Sequence, residues 1–152
     1  AYVSSEFINM LLSFVVIFFV LIISGFGIEV RCLWMLPIVL VVEYILVLGI
    51  AMLTSALTVY FRDLEYILGI FAMLWMYLTP VLYEIEQIQE KLRFLIYLNP
   101  MTGVILCYRD ILYYKRLPEF SNMGIACGIG ITFFILGFYV FNKLQKRFVE
   151  EL

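Results

Sequence analysis

The side chains of this 152-residue chain offer little catalytic chemistry. There is no histidine, so Ser-His-Asp or Cys-His catalysis and His-bearing zinc sites are absent. The three cysteines, Cys32, Cys107 and Cys127, are far apart, form no CxxC pair, and read as small apolar fillers. No Gly-rich loop ending in Lys-Ser/Thr could cradle a phosphate, so ATP, if used, must be bound by another polypeptide or domain. We expect no cofactor, catalytic residue or metal site in this chain. The nearest thing to an acidic cluster is Glu84, Glu86 and Glu90, which could hold a metal and phosphates for a glycosyl or phosphoglycosyl transfer. The polar face of a short amphipathic helix explains the same three residues more simply.

The other charges stand out by their apolar surroundings. Glu43 lies about ten residues inside a long apolar run; such a group is costly in a membrane unless it faces protein or water. It can be a protonated or hydrogen-bonded packing residue, line a path, or sit nearer an interface. Arg109-Asp110 interrupts a second apolar stretch and would be expensive unless paired or wet; an internal pair is the preferred reading, and contact with a lipid pyrophosphate the alternative. Arg62-Asp63 sits between two apolar runs, as a snorkelling arginine and a helix-capping aspartate.

Tyrosines are abundant, 11 in all, and Tyr77, Tyr83, Tyr97, Tyr108, Tyr113 and Tyr114 gather around the same region. They read as an interfacial aromatic belt, or as a surface on which the C–H faces of sugar rings stack while hydroxyls bond sugar hydroxyls. Pro80 and Pro100, the latter preceded by Asn99, each remove a backbone donor and bend or break a helix.

The elements that must position these residues follow from hydropathy. Apolar residues make up 65% of the chain and charged ones 14%, against about half and a quarter in soluble domains. Mean hydropathy is +1.06. A chain this short cannot bury so much apolar surface in water, so it reads as an integral membrane protein in contact with lipid. The net charge of −2 offers no basic field for nucleic acid.

Crossing a hydrocarbon core takes about 20 apolar residues. Four spans are predicted, over residues 7–28, 33–59, 65–83 and 123–141. Residues 84–119 are too polar at first and then too short to cross. A re-entrant pair of short helices, broken at Tyr97-Leu98-Asn99-Pro100, fits both facts. In the last span, Gly124 and Gly128 form a GxxxG, with Ala126 and Gly130 a second small pair, spacings that let helices pack closely. Residues 142–152 form a solvated tail. The fold class is therefore an all-α polytopic membrane protein of four transmembrane helices plus a re-entrant helical pair. With four spans both termini share a side, and the basic residues Lys143, Lys146 and Arg147 after the last span put that side inside. The missing initiator Met and the long first apolar run suggest a start inside a longer protein.

From Gly49 onward the sequence resembles the permease subunit of bacterial type-two ATP-binding-cassette exporters, in the branch that exports O-antigen, capsule and teichoic acid polysaccharides. The resemblance rests on Tyr60-Phe61-Arg62-Asp63-Leu64, Tyr77-Leu78-Thr79-Pro80-Val81-Leu82-Tyr83, Leu98-Asn99-Pro100-Met101 and Tyr108-Arg109-Asp110-Ile111-Leu112, in that order, and on a final span leading into Tyr139-Val140-Phe141. It implies six spans per subunit, of which these are the third to sixth. It implies a homodimer of permeases and a separate ATPase subunit carrying ATP and Mg²⁺. It also implies a multi-pass place in the bacterial inner membrane and a lipid-linked glycan as substrate. By the same resemblance Arg62 and Asp63 lie on the cytoplasmic side near the ATPase. The re-entrant pair becomes part of an outer gate, with Tyr77, Pro80, Tyr83, Tyr97, Asn99, Pro100, Tyr108, Arg109 and Asp110 as candidate gate and glycan-path residues. Helix 65–83 is nominated for the dimer contact. A drug or lipid exporter of the same superfamily, a membrane-embedded transferase and a membrane scaffold are the alternatives.

Overall fold

A computed structural model describes residues 2–25 and 30–150. They form α1 (Tyr2–Ile23), α2 (Val30–Leu33), α3 (Leu36–Tyr60), α4 (Leu64–Leu78), a 3-10 turn (Ile85–Gln87), α5 (Glu90–Tyr97), α6 (Pro100–Leu112) and α7 (Phe120–Glu150), with no strand among the described residues. The end of the first predicted span, residues 26–28, and tail residues 151–152 lie outside them.

Among the described residues, three helical stretches are long and apolar enough to cross a membrane: Val3–Ile23, Val30–Tyr60 and Phe120–Arg147. The second contains a break. Pro37 sits in the first turn of α3, where its missing N–H is harmless, so the helix restarts at Leu36. The third predicted span is shorter than expected. α4 has 15 residues, about 22 Å of helix, and ends where Thr79 turns extended ahead of Pro80. α7 instead outruns its expected span, because the polar tail continues the same helix.

α3 and α7 make the central contact, at glycines. A Cβ on Gly49 would fall 2.5 Å from the Phe133 carbonyl carbon, and one on Gly137 would overlap the Gly49 carbonyl oxygen. Farther back along both helices, Gly130 faces Val42 and Leu46. Residue numbers rise together, so α3 and α7 run parallel. The chain must therefore travel back between Tyr60 and Phe120, a return made by α4, the segment after it, α5 and α6.

The core lies where α6 leans on this pair. Cys32, Leu36, Val39, Val42 and Leu46 meet Val104, Cys107 and Ile111 of α6 and Ala126 of α7. Gly103 of α6 lets Ala126 approach: a Cβ there would meet the Ala126 Cβ at 3.1 Å. The small residues of α7 that pack within this chain are thus Ala126 and Gly130. A methyl group on Gly124 or Gly128 would meet nothing within 4 Å among the described residues. Residues two apart on a helix point to nearly opposite sides, which separates the two pairs.

α1 and α4 are peripheral. The membrane-length window of α1 is wholly unburied, and α4 has no buried residue. Only Leu64, Leu68 and Trp75 of α4 are partly covered; at steps of four and seven they form a single seam.

Candidate gate and path residues

Asn99 joins two elements. As N-cap of α6 it is extended (φ −69°, ψ 122°), and its Oδ1 accepts from the Met101 N–H at 3.0 Å. Its Nδ2 donates to the Thr79 hydroxyl at 2.9 Å, and that hydroxyl donates to the Trp75 carbonyl at 2.8 Å. Pro100 occupies the first turn of α6, where its ring fits a helix start. The exit of α4 and the start of α6 are therefore fastened through one amide, with Pro80 and Pro100 both buried beside it. Thr102 adds a buried bond from its hydroxyl to the Ile96 carbonyl at 2.6 Å. Thr79 and Thr102 escaped sequence reasoning because each is a lone hydroxyl whose partner is fixed only by folding.

Arg109 and Asp110 do not pair with each other, contrary to the expectation. Adjacent residues on a helix diverge by about 100°. Arg109 donates to the carbonyls of Pro80 and of Tyr83, the latter at 3.2 Å, and so holds the segment that leaves α4. Asp110 faces the other way, 3% exposed, with Arg116 at 2.8–2.9 Å. Lys115, at φ 52°, turns the chain so that the Arg116 N–H also reaches the Asp110 carbonyl at 2.9 Å. The hydrogen bond to Asp110 and the carboxylate charge raise the Arg116 pKa above its ordinary value, so the guanidinium stays charged. The second Asp110 oxygen is buried and has no hydrogen-bond partner.

Glu43, which had no foreseeable charged partner in mid-span, accepts a hydrogen bond from the Tyr108 hydroxyl of α6. The Tyr108 ring lies 5.4 Å from that of Phe14 in α1. Three elements thus meet at one tyrosine. On α1, Phe7 packs 4.8 Å from the Tyr44 ring, and Ser4 and Tyr44 share a 3.0 Å hydrogen bond.

The remaining tyrosines divide. Tyr77 is 69% exposed on α4, and Tyr97 is partly exposed at the end of α5. The half-buried Tyr83 donates to the Leu78 carbonyl at 3.0 Å. Tyr113 and Tyr114 meet edge to face at 5.1 Å, Arg116 lies 4.9 Å over the Tyr114 ring, and Tyr114 bonds Glu84 at 3.3 Å. A cleft of 380 Å³ lies between Tyr83, Glu84, Arg109 and Tyr113. Among the described residues, no three Cys, Asp or Glu side chains gather as a metal site. Cys32 and Cys107 are buried free thiols within the core.

Arg62 and Asp63 are exposed in the turn between α3 and α4. Asp63 stands at the N-cap of α4, but its side chain makes no capping bond, contrary to the expectation. Its backbone is already α-helical (φ −79°, ψ −7°), whereas capping side chains work from an extended residue.

The family description "ABC-2 type transporter" matches residues 1–113, which include α1, α3, α4 and the fastened α4–α6 junction. The chain belongs to the ABC-2 type transporter family. Two proteins named O-antigen export system permease protein RfbA, from Klebsiella pneumoniae, are 32% and 33% identical to this ABC-2 chain over 150 residues. Each alignment covers 99% of the chain and 58% of the relative. A protein of the same name from Myxococcus xanthus is 27% identical over 118 residues, 76% of the chain and 45% of the relative. This ABC-2 chain therefore spans about half the length of the curated relatives it matches.

Proposed function

We propose that this ABC-2 chain is part of the channel-forming permease of an ATP-driven exporter. The exporter moves a lipid-linked polysaccharide of O-antigen type across the bacterial inner membrane. The observation that carries the reading is the junction at Asn99 and Arg109. It links a membrane-apolar helix, the segment that leaves it and a pair of short helices into one unit that can shift together. The names of the relatives supply the substrate class.

The chain does no covalent chemistry in this reading. ATP and Mg²⁺ are bound by a partner ATPase, whose turnover biases two packings of a permease homodimer. The exposed turn at Arg62 and Asp63 lies on the ATPase side. α4, uncovered on most of its surface, faces the second copy, and Gly124 and Gly128 serve helices beyond this chain. α5 and α6 form a re-entrant outer gate, around which Tyr77, Tyr83, Tyr97 and Tyr108 give the glycan weak, repeatable contacts. Four crossings are favoured by the parallel run of α3 and α7, which requires an intervening return. α4 supplies about 22 Å of that return, and the turns from Thr79 to Tyr83 carry the chain on from its end.

The test uses the permease polypeptide that carries this chain, expressed with its ATPase in a strain lacking its own O-antigen exporter. Surface O-antigen should be restored, and it should fall severalfold when Tyr83, Tyr97 and Tyr108 are all changed to Ala. A Leu117→Cys thiol should react with an impermeant reagent added outside, and a Lys146→Cys thiol should not. No restoration by the wild-type complex refutes the export reading; the reverse labelling pattern refutes the topology.

A further inference from the structure

One side of α7 has no partner among the described residues. Ala126, Gly130, Phe133 and Gly137 pack toward α3 and α6. On the other side Thr132, Ile135 and Tyr139 are exposed, and the exposed Lys143, Lys146 and Arg147 continue the same line. Steps of three and four keep all six on one side of the helix.

Depth gives this line its order. Gly137 lies against Gly49, and α3 and α7 run parallel. About 15 Å farther along both helices, Arg147 comes level with the exposed Val59, just ahead of the turn that carries Arg62. Lys143 sits about 6 Å deeper, within the apolar length of both helices. Its ammonium lies 5.9 Å over the ring of Tyr139, which is 63% exposed. Among the described residues no carboxylate pairs with Lys143, Lys146 or Arg147. In the sequence Glu150 and Glu151 follow only after them. A cation at membrane depth is costly without a counter-charge. The Thr132 hydroxyl spends its proton on the Gly128 carbonyl at 2.7 Å, so the stretch from Thr132 to Tyr139 presents mainly apolar surface.

We propose that this part of the α7 surface is a docking site for an anionic phospholipid of the cytoplasmic leaflet. The headgroup phosphate sits among Lys143, Lys146 and Arg147, which donate to its oxygens. Tyr139 lies at the glycerol level, and an acyl chain follows Ile135 and Thr132. Cations, then a phenol, then aliphatic surface is the order of groups along a lipid. From Lys143 to Thr132 is about 16 Å of helix, close to the thickness of one leaflet. Three cations with no facing carboxylate favour a headgroup of net negative charge over a zwitterionic one, whose own ammonium would meet them. An acidic protein surface would answer the cations but not the exposed apolar line beside them. Gly124 and Gly128, farther back along α7, stay available to helices beyond this chain. The inference rests on the export reading above only for the leaflet it assigns.

The test uses the intact permease–ATPase complex in detergent, with phosphatidylglycerol and phosphatidylcholine of the same acyl chains as probes. Native mass spectrometry should find phosphatidylglycerol retained severalfold more than phosphatidylcholine. Phosphatidylglycerol with a diazirine in its acyl chain should cross-link to residues 132–139. Lys143→Gln combined with Gln145→Lys keeps the net charge but moves one cation to another side of α7. This variant should lower retention and cross-linking severalfold. Equal retention of the two lipids, cross-links only elsewhere, or an unchanged relocated variant overturns the inference; the last result would mean a diffuse surface field and no site. A carbodiimide cross-link from Lys146 to a carboxylate of the ATPase would mean an acidic protein partner and overturns it too. Failure of the wild-type complex to restore surface O-antigen would overturn the export reading and leave the lipid result standing. Labelling of a Lys146→Cys thiol from outside would overturn the cytoplasmic leaflet.

Discussion

Replacing Asn99 separates its two bonds. Asn99→Ala removes the cap on Met101, worth about 1 kcal/mol, and the donation to Thr79, also worth about 1 kcal/mol. Asn99→Asp keeps an acceptor for the cap and loses only the donor. The Thr79 hydroxyl keeps its own bond to Trp75 in both cases, so no buried group is stranded there. The junction should open about 30-fold more often in Asn99→Ala and about fivefold more often in Asn99→Asp. Amide hydrogen exchange on the complex in lipid nanodiscs reads this directly at Thr79, Val81, Met101 and Thr102, whose N–H groups are bonded at or beside the junction. Exchange should accelerate in that order of severity, with amides in the middle of α7 unchanged. Wild-type exchange in Asn99→Ala, or equal acceleration in both variants, would refute the assignment of two separable bonds.

Arg109→Ala should loosen residues 80–83, and Arg109→Lys should loosen them less, since one guanidinium nitrogen holds both carbonyls and an ammonium can also donate to two; exchange at Val81 checks it. Arg116→Ala leaves the buried Asp110 carboxyl without its ion pair. Adding Asp110→Asn should therefore raise the melting temperature above that of Arg116→Ala alone, and a lower value would argue against a cost from the stranded charge. Gly137→Ala should cost about 1–3 kcal/mol by wedging α3 from α7. Nothing within this chain opposes a methyl on Gly124, so a loss above about 0.5 kcal/mol in Gly124→Ala in the detergent-solubilised permease is expected only through the helices beyond this chain that it serves in the reading above; thermal unfolding of the two variants checks both.

The motif residues were legible as a set but not as contacts. Asn99-Pro100 announces a helix start, because an extended cap followed by a proline is a local preference, and α6 begins there. Leu78-Thr79-Pro80 announces a helix end for the same reason, though the apolar run through Tyr83 hid it and lengthened the expected span. That Thr79 and Asn99 would bond each other, across 20 residues, was not readable. Arg109-Asp110 misled because adjacency in sequence invites pairing, whereas a helix sends neighbours apart. The GxxxG spacing of Gly124 and Gly128 is a genuine pattern, yet the packing within this chain uses Ala126 and Gly130.

By itself the sequence determined the solvent and the kind of element. Its apolar fraction exceeds what so short a chain can bury, and apolar runs that match a bilayer can satisfy their backbone only as helices. These are local or additive quantities, so composition and spacing suffice. Only the tertiary structure decided the parallel run of α3 and α7 and the partners of Glu43, Arg109 and Asp110. Those depend on the side of a helix that each residue faces and on what another part of the chain brings to it. That relation exists only once the helices are packed.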